Sequence, residues 1–66
     1  MKLNNIYLNE LQNIKINGAM FYSVRLTEKN ESYIVHCIDI PIGIIHQSDI
    51  FDIKIDDKNN LCFKLY

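Results

Sequence analysis

Three stretches of this chain alternate apolar and polar residues with a period of two, and that alternation sets the terms for any fold. In Met20-Phe21-Tyr22-Ser23-Val24-Arg25-Leu26-Thr27, the residues Met20, Tyr22, Val24 and Leu26 fall on one face of an extended strand. Phe21, Ser23, Arg25 and Thr27 take the other, and only Phe21 among them is apolar. Over residues 50–56 the pattern places Phe51, Ile53 and Ile55 inward and Asp52, Lys54 and Asp56 outward. Over residues 61–66 it places Leu61, Phe63 and Leu65 on the core face. Polar clusters at Glu28–Glu31, His46–Asp49 and Asp57–Asn60 separate the apolar runs and read as turns, with Asn30 the residue best suited to positive φ.

The run Tyr33–Ile40 reads as a further strand, apolar on both faces near its centre, and so as one buried inside a barrel or a covered sheet. Pro41 cannot donate to a ladder, and Gly43 tolerates unusual backbone angles. Pro41-Ile42-Gly43 therefore marks a bulge or corner before a short edge strand at Ile44-Ile45. The N-terminal stretch carries Leu3, Tyr7, Leu11 and Ile14 at helical spacing, with Asn4 or Asn5 available as a cap. It predicts a short helix over residues 4–12 and a strand over residues 13–17; a short strand around Ile6 to Leu8 is the rival reading. Twelve isoleucines, which are stiff at χ1 and suit a pleated surface, reinforce the β assignment.

The expected fold is mainly β: a small, strongly bent antiparallel sheet or an SH3-like or OB-like barrel of about five strands, with at most one short N-terminal helix. A helix packed on an open sheet is the alternative. Sixty-six residues make one domain, spanning 1–66, and a chain this short buries only about 60% of the surface it exposes when unfolded. Such a core has little margin, and dense apolar packing or a partner would supply it. Cys37 and Cys62 are too few for a disulfide framework and read as reduced core thiols.

Charge narrows the function. Seven cations against eight carboxylates give a net charge of −1, and the cations are scattered along the sequence, so the composition lacks the basic footprint of a nucleic-acid binder. No run of 18 apolar residues is present to span a membrane, and the Met1-Lys2-Leu3 start carries no apolar stretch of signal-peptide length. A cytoplasmic location, in its own or a host cell, is expected. Asn, Ile and Lys supply 26 of the 66 residues, which points to an AT-rich bacterial genome or one of its phages.

Candidate chemistry centres on His36, His46, Ser48 and Asp49. Cys37, His46, Asp49 and Cys62 could ligate zinc on paper, but no spacing preorganises them, and a core His36 with a solvated His46 is favoured. Ser48 and Asp49 read as turn residues rather than members of a catalytic triad. Asp52, Asp56 and Asp57 read as solvated surface carboxylates. No enzyme activity, metal or cofactor is expected. Phe21, Arg25, Tyr33, Lys64 and Tyr66 could stack and neutralise single-stranded nucleic acid. The stronger reading is a binding surface for another protein around Ile40, Ile42, Ile44, Ile45, His46 and Asp49, because this apolar load exceeds what so small a monomer can bury. A regulator or inhibitor of a host factor is the form envisaged. A homodimer is also expected as an option, and a subunit whose role is assembly is a further alternative.

Overall fold

Residues 1–66 are described by a computed structural model. Six strands form one sheet: β1 (Gln12–Ile16), β2 (Ala19–Lys29), β3 (Ser32–Cys37), β4 (Ile40–His46), β5 (Ile50–Ile55) and β6 (Leu61–Leu65). Their order across the sheet is β4-β3-β2-β1-β6-β5. Neighbours are antiparallel except β1 and β6, which run parallel, so the sheet is mixed rather than wholly antiparallel.

The expectation of a strongly bent sheet holds, and a simple length argument shows why. Strands β4 and β5 lie at opposite edges, yet only Gln47–Asp49, a 3-10 turn, joins them. A flat sheet of six strands would separate its edges by roughly 24 Å, at about 4.8 Å per interval. The link from His46 to Ile50 spans at most about 15 Å of Cα trace. The edges must therefore curl towards each other at that corner. They do not pair along their length, and the barrel stays open.

Three irregularities supply the curl. Tyr22 and Ser23 together oppose Asn13, Asp52 and Ile53 oppose Phe63, and Ile42 is an extra residue between the Val35–Gly43 and His36–Pro41 pairs. Ser23 and Asp52 sit at φ 58° and 56°, the left-handed conformation that a bulge demands. Each bulge reverses the alternation behind it. Val24 and Leu26 are buried as expected, whereas Met20 sits opposite Lys15 on the outer surface and Tyr22 is exposed. Likewise Ile50 is buried, and Phe51 turns outward beside Lys64. Leu61 and Phe63, on the bulge-free β6, are buried as the pattern predicts.

Two expectations about element boundaries fail. The run Tyr33–Ile40 is not one strand: it ends at Cys37, and Ile38-Asp39 form a two-residue turn with φ 50° and 62°. The helix over residues 4–12 does not form. Only Asn5–Tyr7 make a 3-10 turn, capped by the Asn4 side chain accepting from the Ile6 N–H, and Asn9 at φ 64° ends any helical path. The segment instead closes the hollow of the sheet. Leu3 and Leu8 join Ile14, Val24, Leu26, Tyr33, Val35, Ile50, Leu61 and Phe63 in the core. Tyr33 is fully buried, and its hydroxyl accepts the Leu3 N–H at 2.8 Å. Next to it, Asn9 N–H donates to the Leu26 carbonyl at 2.8 Å.

Because that hydroxyl satisfies a buried amide, Tyr33→Phe should lower stability by about 1–3 kcal/mol, the cost of an orphaned buried donor. An unchanged urea midpoint would show that Leu3 and Tyr33 are not joined in solution.

Candidate functional site

The edge strand β4 and the turn before it expose four isoleucines. Ile38, Ile40, Ile42 and Ile44 are between 58% and 74% exposed. Their arrangement follows from the hairpins on either side of β3. Two-residue turns at Asn30-Glu31 and Ile38-Asp39 make Lys29–Ser32 and Cys37–Ile40 the hydrogen-bonded pairs. Alternation then directs the backbone groups of Ser32, Ile34 and His36 to β2, and those of Tyr33, Val35 and Cys37 to β4. On β4 itself, Ile44 and His46 direct their N–H and C=O groups away from β3, and Pro41 has no N–H to offer.

The other edge of the sheet is treated differently. Strand β5 carries Asp52 and Lys54 and a bulge, all of which discourage pairing with a foreign strand. On β4, Pro41 and the bulge at Ile42 play that part, and no formal charge does.

Cross-strand partners share a face, so Ile44 lies beside Ile34, and His46 beside Ser32. Lys29, Asn30, Ser32, Ile34, Ile44 and His46 line a shallow depression of about 250 Å³. His46 Nδ1 lies 3.0 Å from Ser32 Oγ, and His36 Nε2 lies 3.0 Å from Thr27 Oγ1. Both imidazoles are thus engaged by hydroxyls of β2 and β3 rather than by Ser48 or Asp49. Ile45 turns inward and packs half-buried against the core opposite Tyr33. Asp49 sits in the 3-10 turn, where its carbonyl accepts the Tyr66 N–H at 3.0 Å. Of the six residues assigned to a partner surface by sequence, Ile40, Ile42, Ile44 and His46 therefore stand exposed along one edge, Ile45 belongs to the core, and Asp49 to the corner.

Ile38 was hidden from sequence reasoning because it reads as mid-strand. It occupies the tip of the β3–β4 hairpin at φ 50°, 74% exposed. A β-branched residue in the left-handed region costs roughly 1–2 kcal/mol relative to glycine, and Asn-Gly is the common choice for such a turn. Beside it, Asp39 is held by Arg25 at 2.5 Å. The local rules favour a small polar residue at position 38, yet an isoleucine is displayed there. Strain of this kind clusters at functional positions.

Two other constellations do not assemble. Cys37 lies on β3 and Cys62 on β6, three intervals apart in the sheet, or roughly 14 Å, too far for a disulfide or a shared zinc. The set Phe21, Arg25, Tyr33, Lys64 and Tyr66 is not one nucleic-acid surface. Tyr33 is sealed in the core, Arg25 is tied to Asp39, and Lys64 lies on the opposite half of the sheet.

Replacing Ile38 by Asn should raise the melting temperature, by the few degrees that about 1 kcal/mol represents for a domain of this size. A lower melting temperature would mean that Ile38 is held by packing rather than strained. Comparison with protein-family models, with curated proteins and with solved structures gives no match.

Proposed function

We propose that this chain is a non-enzymatic protein-binding module that recognises its partner through the β4 edge and the Ile38 tip. The observation that carries this reading is the set of exposed isoleucines Ile38, Ile40, Ile42 and Ile44 along one edge, with the bulge at Ile42 turning Ile40 and Ile44 to opposite faces. The edge is free of formal charge from Ile40 to Gln47, and its Ile44 and His46 backbone groups point outward. Such an edge suits strand addition: backbone bonds at Ile44 and His46 give affinity, and the isoleucine side chains give selectivity. Pro41 limits the added strand to the Ile42–His46 end of β4. The depression between Ile34 and Ile44 receives one side chain of the partner. Action as an inhibitor or regulator of a host factor fits a small chain that presents one apolar edge.

Ile44→Lys tests this directly. The side chain is exposed, so the fold should change in stability by no more than about 0.5 kcal/mol. In a nuclease-treated pull-down at high salt, the wild-type chain should retain a protein that Ile44→Lys loses and Lys54→Ala keeps. Equal retention by all three would remove β4 as the binding surface. If light scattering shows a wild-type dimer that Ile44→Lys makes monomeric, the retained partner is a second copy.

A further inference from the structure

The face opposite the β4 edge concentrates positive charge that is dispersed in the sequence. Lys15 on β1 and Lys54 on β5 both stand in register with Cys62 on the intervening β6. Lys64 follows two residues along β6, on the same face. Together with Gly18, Asp52 and Phe63, these residues line a depression of about 100 Å³. Three of the chain's seven cations thus meet one of its eight carboxylates in a single depression, against a net charge of −1 for the whole. Cys62 between them is buried, Lys15 is half-buried, and Lys54 and Lys64 are exposed.

Local carboxylates do not neutralise this patch. Asp52 lies 3.3 Å from Lys64 and serves that one lysine, and neither Lys15 nor Lys54 has a carboxylate within ion-pair distance. Asp56, whose charge Lys15 feels weakly, is already occupied by its own turn. Its oxygens accept the Asn60 N–H at 2.7 Å and the Lys58 N–H at 3.0 Å. Those bonds, the Asn60 N–H first, with the Lys15 charge contributing least, hold its carboxyl below the ordinary value of 3.8.

An aromatic platform borders the lysines. Phe51 pairs with Lys64 across the β5–β6 ladder, and the Tyr66 ring stacks on Phe51 with centroids 4.3 Å apart and planes at 25°. Tyr66 remains 85% exposed. Cations that track a phosphate chain beside an exposed ring on which a base can stack are the two ingredients of single-strand recognition. From Tyr66 back to the Lys15–Cys62–Lys54 row is about 13 Å along β6, enough for a few nucleotides.

We infer that the outer face of β1, β6 and β5 binds single-stranded nucleic acid, with Lys15, Lys54 and Lys64 on the phosphates and Tyr66 under a base. This face is separate from the β4 edge, so the two surfaces can be tested apart.

The test is fluorescence anisotropy of a labelled oligothymidylate at low and moderate salt. Wild type should bind, with affinity falling as salt rises. The Lys15→Ala/Lys54→Ala double variant should bind about tenfold or more weakly and with a shallower salt dependence. Tyr66→Ala should weaken binding with the salt dependence unchanged. Asp52→Asn, which removes the one carboxylate and keeps a residue tolerant of positive φ, should bind several-fold more tightly, a gain that misfolding cannot imitate. Ile44→Lys should bind no more weakly than wild type. Absence of binding at low salt, or indifference to both Lys15→Ala/Lys54→Ala and Asp52→Asn, would overturn the inference. So would displacement of the oligonucleotide by an equal concentration of inorganic phosphate, which would make the site one for a free anion.

Discussion

Joining the two edge strands of a six-stranded sheet through Gln47–Asp49 imposes a geometric condition that every other part of the molecule meets. The sheet can satisfy so short a link only by curling, and curling in turn requires the left-handed residues Ser23 and Asp52 and the extra residue Ile42. A curled sheet that does not close leaves a hollow on its concave side. Leu3 and Leu8 fill that hollow, and the Leu3 amide is satisfied by the one polar atom Tyr33 carries into the core. Residues 1–9, which form no strand, are for this reason part of the core rather than an appendage.

The same curl divides the outer surface into two chemically different halves. On one half, β2, β3 and β4 present hydroxyls, two histidines and an uncharged isoleucine edge. On the other, β1, β6 and β5 present lysines and a stacked aromatic pair. Apolar and cationic residues that alternate along the sequence are sorted by the strand order, because β1, paired with β2 on one side, takes the distant β6 on the other. The parallel β1–β6 contact is what brings Lys15 beside Cys62 and Lys54.

Much of the fold is legible in the sequence where the ladder is regular. Leu61, Phe63, Val24 and Leu26 alternate as expected and are buried, and the Pro41–Gly43 corner is a real bulge. Asn30 also takes the positive φ assigned to it. Elsewhere the period of two survives but its phase does not. A bulge shifts phase without a compositional signature when its residue is Ser23 or Asp52, so Tyr22 and Phe51 are read onto the wrong face. The N-terminal spacing of Leu3, Tyr7 and Leu11 imitates a helix because helical periodicity over nine residues is a weak signal, and burial of Leu3 and Leu8 in the hollow outweighs it. The exposed apolar edge is legible in kind at Ile40–Ile44. It is illegible at Ile38, since no sequence rule predicts a tight turn at Ile-Asp. The lysine face depends on a pairing between β1 and β6, some 45 residues apart, which no local pattern encodes.

The central claim is that β4 is a free, pairing-competent edge in the isolated chain. Amide hydrogen exchange read by NMR, in dilute protein, tests it most directly. A free edge gives fast exchange at Ile44 and His46, whose N–H groups face away from β3, beside slow exchange at Ile45, Val35 and Tyr33. Slow exchange at Ile44 and His46 at concentrations where the chain is monomeric would mean that the edge is already paired within the molecule, and the proposed binding surface would not exist.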